Sequence, residues 1–202
     1  MNNKHYTNES RIQEYLNQTI SVGDADQFIT MAQEVVDNFT GRSFKADDTA
    51  SVRYYSGNDR QELPIDDCVS ITTVEIGSNA WGDSHTTIEA GGADGYYTMP
   101  VNNEANGLPI RKLLLRSRNW SLGHANHKIT AKWGYSEEVP ADITFVATVI
   151  ASGMYYQNRG ENSGAIKSEK IGDYAVSYAD GQGFQDLDEA KAILARRKKY
   201  NL

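Results

Sequence analysis

The spacing of apolar and polar positions divides the chain into stretches of different period. From residue 8 to 42 the spacing is helical: Ile12, Tyr15 and Leu16 share one face of a first helix, and Phe28, Ala32, Val35, Val36 and Phe39 share one face of a second. Asp24 is the expected N-cap of the second helix and Gly41 its stop. Two apolar stripes joined by a short linker predict a packed helical pair.

Between about 50 and 136 the period shortens to two. Residues 51–55, 69–76, 110–115 and 128–133 are rich in β-branched and aromatic side chains or alternate in polarity, as half-buried strands do. Gly57-Asn58, Gly91-Gly92, Asp94-Gly95 and Asn106-Gly107 lie between them and favour turns. The stretch predicts an antiparallel β-sheet or small barrel, with Trp81, Trp120 and Trp133 among its core or rim anchors.

From Ala141 the helical period returns, with Ile143, Val146, Ala147, Ile150, Ala151 and Met154 on one face and Pro140 at the first turn. A last helix is expected from near Asp186, with Leu187, Ala190, Ile193 and Leu194 on one side and four cations, Arg196 to Lys199, at its end. An acidic start and a basic finish complement the helix dipole; the cations also suit an acidic partner surface. Between these helices, residues 166–178 alternate like a strand and are split into two arms by Gly172-Asp173. Such an arm either closes into an ordinary hairpin or pairs with something else.

The fold class that follows is α+β: a helical bundle with two N-terminal helices, one long helix after the sheet and one C-terminal helix, interrupted by the β-rich insertion. Residues 1–48 and 137–202 form the helical part, with the strand-like arm at 165–178, and residues 49–136 form the inserted part.

The 202 residues carry 27 acidic and 20 basic side chains, a net charge of −7. That balance argues against a protein that holds nucleic acid by neutralising phosphates, although an acidic channel wall lets a duplex slide past without sticking. No apolar run approaches the roughly 18 residues of a membrane span, and the first residues lack the apolar stretch of a signal peptide. The single cysteine, Cys68, allows no internal disulfide, which fits folding in a reducing cytoplasm. Chemistry is poorly advertised. His124 and His127 lack the further ligands of a zinc site, Asp66, Asp67 and Asp94 are carboxylates beside turns, and Gly181-x-Gly183 lacks the context of a dinucleotide loop. No catalytic residue, metal or cofactor is expected, and the chain reads as an assembly part rather than an enzyme.

Four stretches, in order, resemble the head-to-tail connector (adaptor, or head-completion) proteins of tailed bacteriophages. They are Tyr15-Leu16 with Asp26-Gln-Phe-Ile and the segment from Ala32 to the Thr40-Gly41-Arg42 turn; Leu63 to Thr72; Ala131 to Ile143; and the run from Ala165 to Tyr178. Together they cover roughly half the chain, while the stretch from about Ser78 to Asn119 is longer than a minimal connector needs. The resemblance implies a virion protein of the neck, made in the host cytoplasm, whose twelvefold ring docks on the portal protein, extends the DNA channel and seats the next neck or tail-completion protein. Partners would be the portal, neighbouring copies and passing double-stranded DNA without specific binding, with no membrane. It assigns portal docking to Leu187, Ala190, Ile193, Leu194, Arg196 and Arg197, and contacts between copies or along the channel to Ile166, Lys167, Glu169, Lys170, Ile171, Asp173 and Tyr174. An alternative of another class is a carbohydrate- or receptor-binding β module of a phage tail, with Trp81, Tyr96 and Tyr97 stacking on sugar faces.

Overall fold

The structure is a computed structural model that describes residues 5–20, 23, 25–78, 84–158, 167–171, 174–178 and 181–199, with positions 157, 167–171, 174–178 and 181–185 described by their backbone. In chain order the elements are α1 (Glu9–Leu16), α2 (Asp26–Thr40), β1 (Ser51–Gly57), β2 (Glu62–Gly77), β3 (His85–Ile88), β4 (Tyr96–Met99), β5 (Ile110–Leu115), β6 (Gly123–Trp133), α3 (Ala141–Asn158), β7 (Lys167–Ile171), β8 (Tyr174–Tyr178) and α4 (Gly181–Arg197). The fold is α+β, and the chain divides into two compact units: Met1–Phe44 with Val139–Leu202, and Lys45–Glu138.

The first unit is built around α3. Ile143, Val146, Ala147, Val149, Ile150, Ala151, Met154 and Tyr155 are all buried, so this helix is covered on most sides, as an apolar helix must be. The other helices and β8 pack around it. No described helix is long and apolar enough to cross a membrane. Asn8 caps α1 by accepting from the Arg11 amide at 3.0 Å. For α2 the expected cap, Asp24, lies outside the described residues, and Ala25 at the boundary offers no side-chain acceptor. The expected stop is in place: Gly41 sits at φ +67° and its amide donates to the Asp37 carbonyl at 2.8 Å. The last helix starts five residues before the expected Asp186. Gly181 and Gly183 are weak helix formers, so propensity places the start too late.

The segment before α1 is also locked into this unit. The Tyr6 hydroxyl donates to Asp37 Oδ1 at 2.5 Å and accepts from the Phe44 amide at 2.6 Å, and the Thr7 and Thr148 hydroxyls bond at 2.6 Å. Burial, only partly offset by the Tyr6 hydrogen bond, pushes the Asp37 carboxyl from its ordinary 3.8 up to about 6. The raised value means that the folded state holds a proton which the unfolded state has lost between those pH values. The contribution to stability is therefore full below about 4 and is lost as pH rises through about 6. We expect Asp37→Asn, which keeps an acceptor for Tyr6, to remove this pH dependence and to raise stability at pH 8 by about 1–2 kcal/mol, allowing for screening of a half-buried carboxylate. Urea unfolding of both proteins at pH 4.5 and pH 8 checks it; parallel pH profiles would refute it.

The second unit is an open, antiparallel six-stranded sheet in the order β1-β6-β2-β5-β4, with β3 paired to β2. Of the two expected forms it is thus the sheet, not the barrel. The edges β1 and β4 do not meet; β4 is only four residues long, and the chain at Glu89–Gly91 bonds to Tyr96 beside it. The long β2 serves neighbours on both sides. Its first part pairs with β5 and its last part with β3, while β6 runs along the opposite flank. Pro64 stands next to a shift of register, where a residue without an N–H is tolerated. Leu63, Ile65, Val74, Leu113, Leu115, Trp120, Ile129 and Trp133 form the core. The stretch from Ser78 to Asn119 supplies three strands of this sheet, β3, β4 and β5.

Candidate assembly interface

The terminal helix α4 is held in place at both ends. Near its start Tyr15 donates to Asp186 Oδ2 at 2.6 Å. Near its end the Arg197 guanidinium grips Asp142 Oδ2 through Nε at 3.0 Å and Nη2 at 2.8 Å, a charge-assisted fork at the first turn of α3. The Thr40-Gly41-Arg42 turn closes over the same point. Arg42 Nε donates to the Arg197 carbonyl at 2.8 Å, the Lys199 amide donates to the Thr40 carbonyl at 2.7 Å, and the Lys198 ammonium lies 5.4 Å from the centre of the Phe39 ring. The turn therefore caps the Arg197 carbonyl at the end of α4, while the chain after α4 caps the Thr40 carbonyl at the end of α2. Sequence reading noted this turn as a motif but not its role as a clasp; the signal available was an arginine beside a helix-ending glycine.

Of the docking candidates, Leu187, Ala190, Ile193 and Leu194 are buried inside the first unit, where α4 packs on α3. The side chains that α4 and its end turn outward are Asp188, Glu189, Ala192, Ala195, Arg196 and Lys198, with Arg197 half-buried on Asp142. Of the arm candidates, Ile166 and Asp173 lie outside the described residues. Lys167, Glu169, Lys170, Ile171 and Tyr174 sit in the β7–β8 hairpin, paired antiparallel with Lys167 opposite Tyr178 and Ile171 opposite Tyr174. Its strands run beside α3 and α4.

The groups that could carry chemistry are dispersed or occupied. Asp66 Oδ2 takes Arg53 Nη1 at 2.7 Å and the Tyr55 hydroxyl at 3.0 Å, and the Arg53 guanidinium lies 4.5 Å from the Trp133 ring centre. Asp67, one residue on, is buried, as expected of neighbours that face opposite sides of a strand. Asp94 accepts from the Ser117 hydroxyl, just beyond β5, at 3.3 Å. Burial, aided by the nearby Asp67, pushes the Cys68 thiol up to about 12, so it is held as an unreactive thiol. His124 is exposed beside Ser56, whereas His127 is fully buried with Nε2 donating to the Ser121 carbonyl at 3.2 Å. Burial, outweighing that bond, holds the His127 imidazole below its ordinary pKa and therefore neutral. Among the described residues no three His, Cys, Asp or Glu side chains gather as a metal site requires. Of the aromatic candidates for sugar stacking, Tyr96 is in the core, Tyr97 is half-buried with its hydroxyl on the Gly92 carbonyl at 3.0 Å, and Trp81 lies outside the described residues.

No protein-family model matches the chain, and no curated protein matches it. Solved structures do. A chain in the neck of an empty gene transfer agent particle, computed with C6 symmetry, superposes with a TM-score of 0.53 at 16% identity, over 96% of this chain and 89% of the other. A chain in the neck of the native gene transfer agent particle, computed with C12 symmetry, gives 0.51 at 16% identity over 96% and 88%. A chain of the native gene transfer agent virion gives 0.54 at 17% identity over 96% and 89%. At such identities the likeness is one of fold, and it spans both units.

Proposed function

We propose that this protein is a structural component of the neck of a tailed-phage-like particle, where copies form a ring that docks on the portal, extends the DNA channel and seats the next neck or tail protein. The observation that carries the reading is the fold shared, over 96% of the chain, with chains of particle necks computed with sixfold and twelvefold symmetry. Independent support comes from the ordered motifs in the sequence. A non-enzymatic role follows from the same reading, as does residence in the virion at the head-to-tail interface.

The net charge of −7 suits a wall past which a duplex moves. A ring also needs a heterologous contact, in which one face of a copy meets a different face of the next. Native mass spectrometry of the protein mixed with the portal from the same genome tests the proposal. Twelve copies added to an assembled portal are the expected result; absence of binding to a correctly assembled portal would overturn it.

A further inference from the structure

The helix dipole accounts for the basic end of α4 but not for its acidic residues. With the start at Gly181, no acidic residue lies in the first turn. Asp186, Asp188 and Glu189 fall in the second and third turns, where the dipole has faded. Asp186 is tied to Tyr15, and Lys191, one turn beyond Asp188, offsets part of its charge. Asp188 and Glu189 are nevertheless both exposed.

At the other end the cations exceed what capping uses. Arg42 caps the Arg197 carbonyl and the Arg197 side chain binds Asp142, while Arg196 and Lys198 are exposed, the Lys198 ammonium 5.4 Å from the centre of the Phe39 ring. Asp188 and Arg196 are eight residues apart, about 12 Å along the axis, which is beyond pairing distance and longer than the Debye length of about 8 Å at physiological salt. The two patches cannot neutralise each other within one copy. They are complementary between copies.

We infer that the exposed acids Asp188 and Glu189 of one copy meet the exposed cations Arg196 and Lys198 of the next, forming a head-to-tail electrostatic contact between copies of this chain. The inference rests on the ring reading for the requirement that unlike faces meet, and it names the partner of this cationic end as a second copy rather than the portal or a nucleic acid. An exposed contact of this kind steers and registers neighbours more than it binds them.

The experiment uses two charge-reversed full-length proteins, Asp188→Lys with Glu189→Lys and Arg196→Glu with Lys198→Glu, together with the neutral pair Asp188→Asn and Glu189→Gln. Circular dichroism melting confirms that each is folded. Self-association is read by native mass spectrometry at low salt, in solution and on the assembled portal. Each reversed protein alone should associate roughly tenfold or more weakly than wild type, and the neutral pair less severely. An equal mixture of the two reversed proteins should restore association with alternating copies, and added salt should level all differences. Wild-type association by the reversed proteins, a mixture no better than its components, or wild type that never associates overturns the contact. Normal twelvefold rings of a reversed protein on the portal would overturn it while leaving the ring reading intact. Wild-type self-association of the Arg196→Glu, Lys198→Glu protein together with loss of its portal binding would overturn the contact and assign the cations to the portal instead.

Discussion

Replacing Leu187 with Asp should unfold the helical unit rather than merely detach the protein from a partner. Leu187 is fully buried where α4 lies on α3, beside Ala190 and Leu194, which are buried as completely. The substitution forfeits about 2–3 kcal/mol of apolar burial and places a carboxylate where it must be desolvated, rearrange its surroundings or take up a proton, at a further cost of several kcal/mol. The sum, about 5 kcal/mol, is comparable to the whole stability of many domains. All three tryptophans belong to the stretch from Lys45 to Glu138, so two signals separate the outcomes. Helical ellipticity at 222 nm should fall at room temperature while tryptophan emission from the buried Trp120 and Trp133 keeps its blue-shifted maximum. Exchange of the exposed Arg196 for Glu should leave the melting curve within about 0.5 kcal/mol of wild type. A Leu187→Asp protein with wild-type ellipticity and melting would mean that α4 does not pack on α3 as described.

That expectation marks where sequence reasoning stops. Periodicity identifies which residues share a face; it does not say whether the chain's own core or another molecule covers that face. Leu187, Ala190, Ile193 and Leu194 share one stripe, yet the neighbour that covers them, α3, ends 29 residues before Leu187. The start of α3 at Ala141, the Gly41 stop and strands β1 and β5 were legible because a proline, a glycine or a short run of aromatic and aliphatic side chains marks them locally. The short β3 and β4 were not, because four residues among glycines carry no period, and their pairing is decided by β2 and β5. Polar residues inside the core are equally silent. Asn126 and His127 stand just before the strand expected at 128–133 and carry no apolar signal, while in the fold both are completely buried. The fixing of the first residues by Tyr6 and of α4 by Arg42 depends on contacts across 31 and 155 positions respectively, which no local pattern records.

The buried polar knot around Asn126 yields the other large effect: Gly57→Ala should destabilise the sheet unit by about 3–5 kcal/mol. A Cβ at position 57 would lie 1.8 Å from the Ser121 carbonyl oxygen and 2.6 Å from His127 Nε2. Neither neighbour is free to yield. The Ser121 carbonyl accepts from Asn126 Nδ2 at 2.9 Å and from the His127 ring at 3.2 Å, and that ring stands edge-on to the buried Trp120 with centroids 5.1 Å apart. The requirement is one of space, since the glycine backbone lies against another backbone, and it is reinforced by polarity. Asn126 Oδ1 accepts from the Gly57 amide at 2.9 Å while its Nδ2 also reaches the Gly77 carbonyl at 3.2 Å. Asn126 thus bonds three backbone groups from different segments, and Asn126→Ala should cost about as much as the glycine change because the buried Gly57 amide loses its acceptor and the Gly77 and Ser121 carbonyls each lose one of two donors, keeping only the Ser121 hydroxyl and the His127 ring. Because the two substitutions break one knot, the double variant should be less destabilised than their sum. Gly107→Ala is the control: nothing lies within 4 Å of the added Cβ, so only the strain of φ +60° remains, about 1 kcal/mol. Urea unfolding followed by tryptophan emission checks all four proteins. A Gly57→Ala protein as stable as the Gly107→Ala control would show that β1 can leave the Ser121 loop without loss, and that the knot does not hold this end of the sheet.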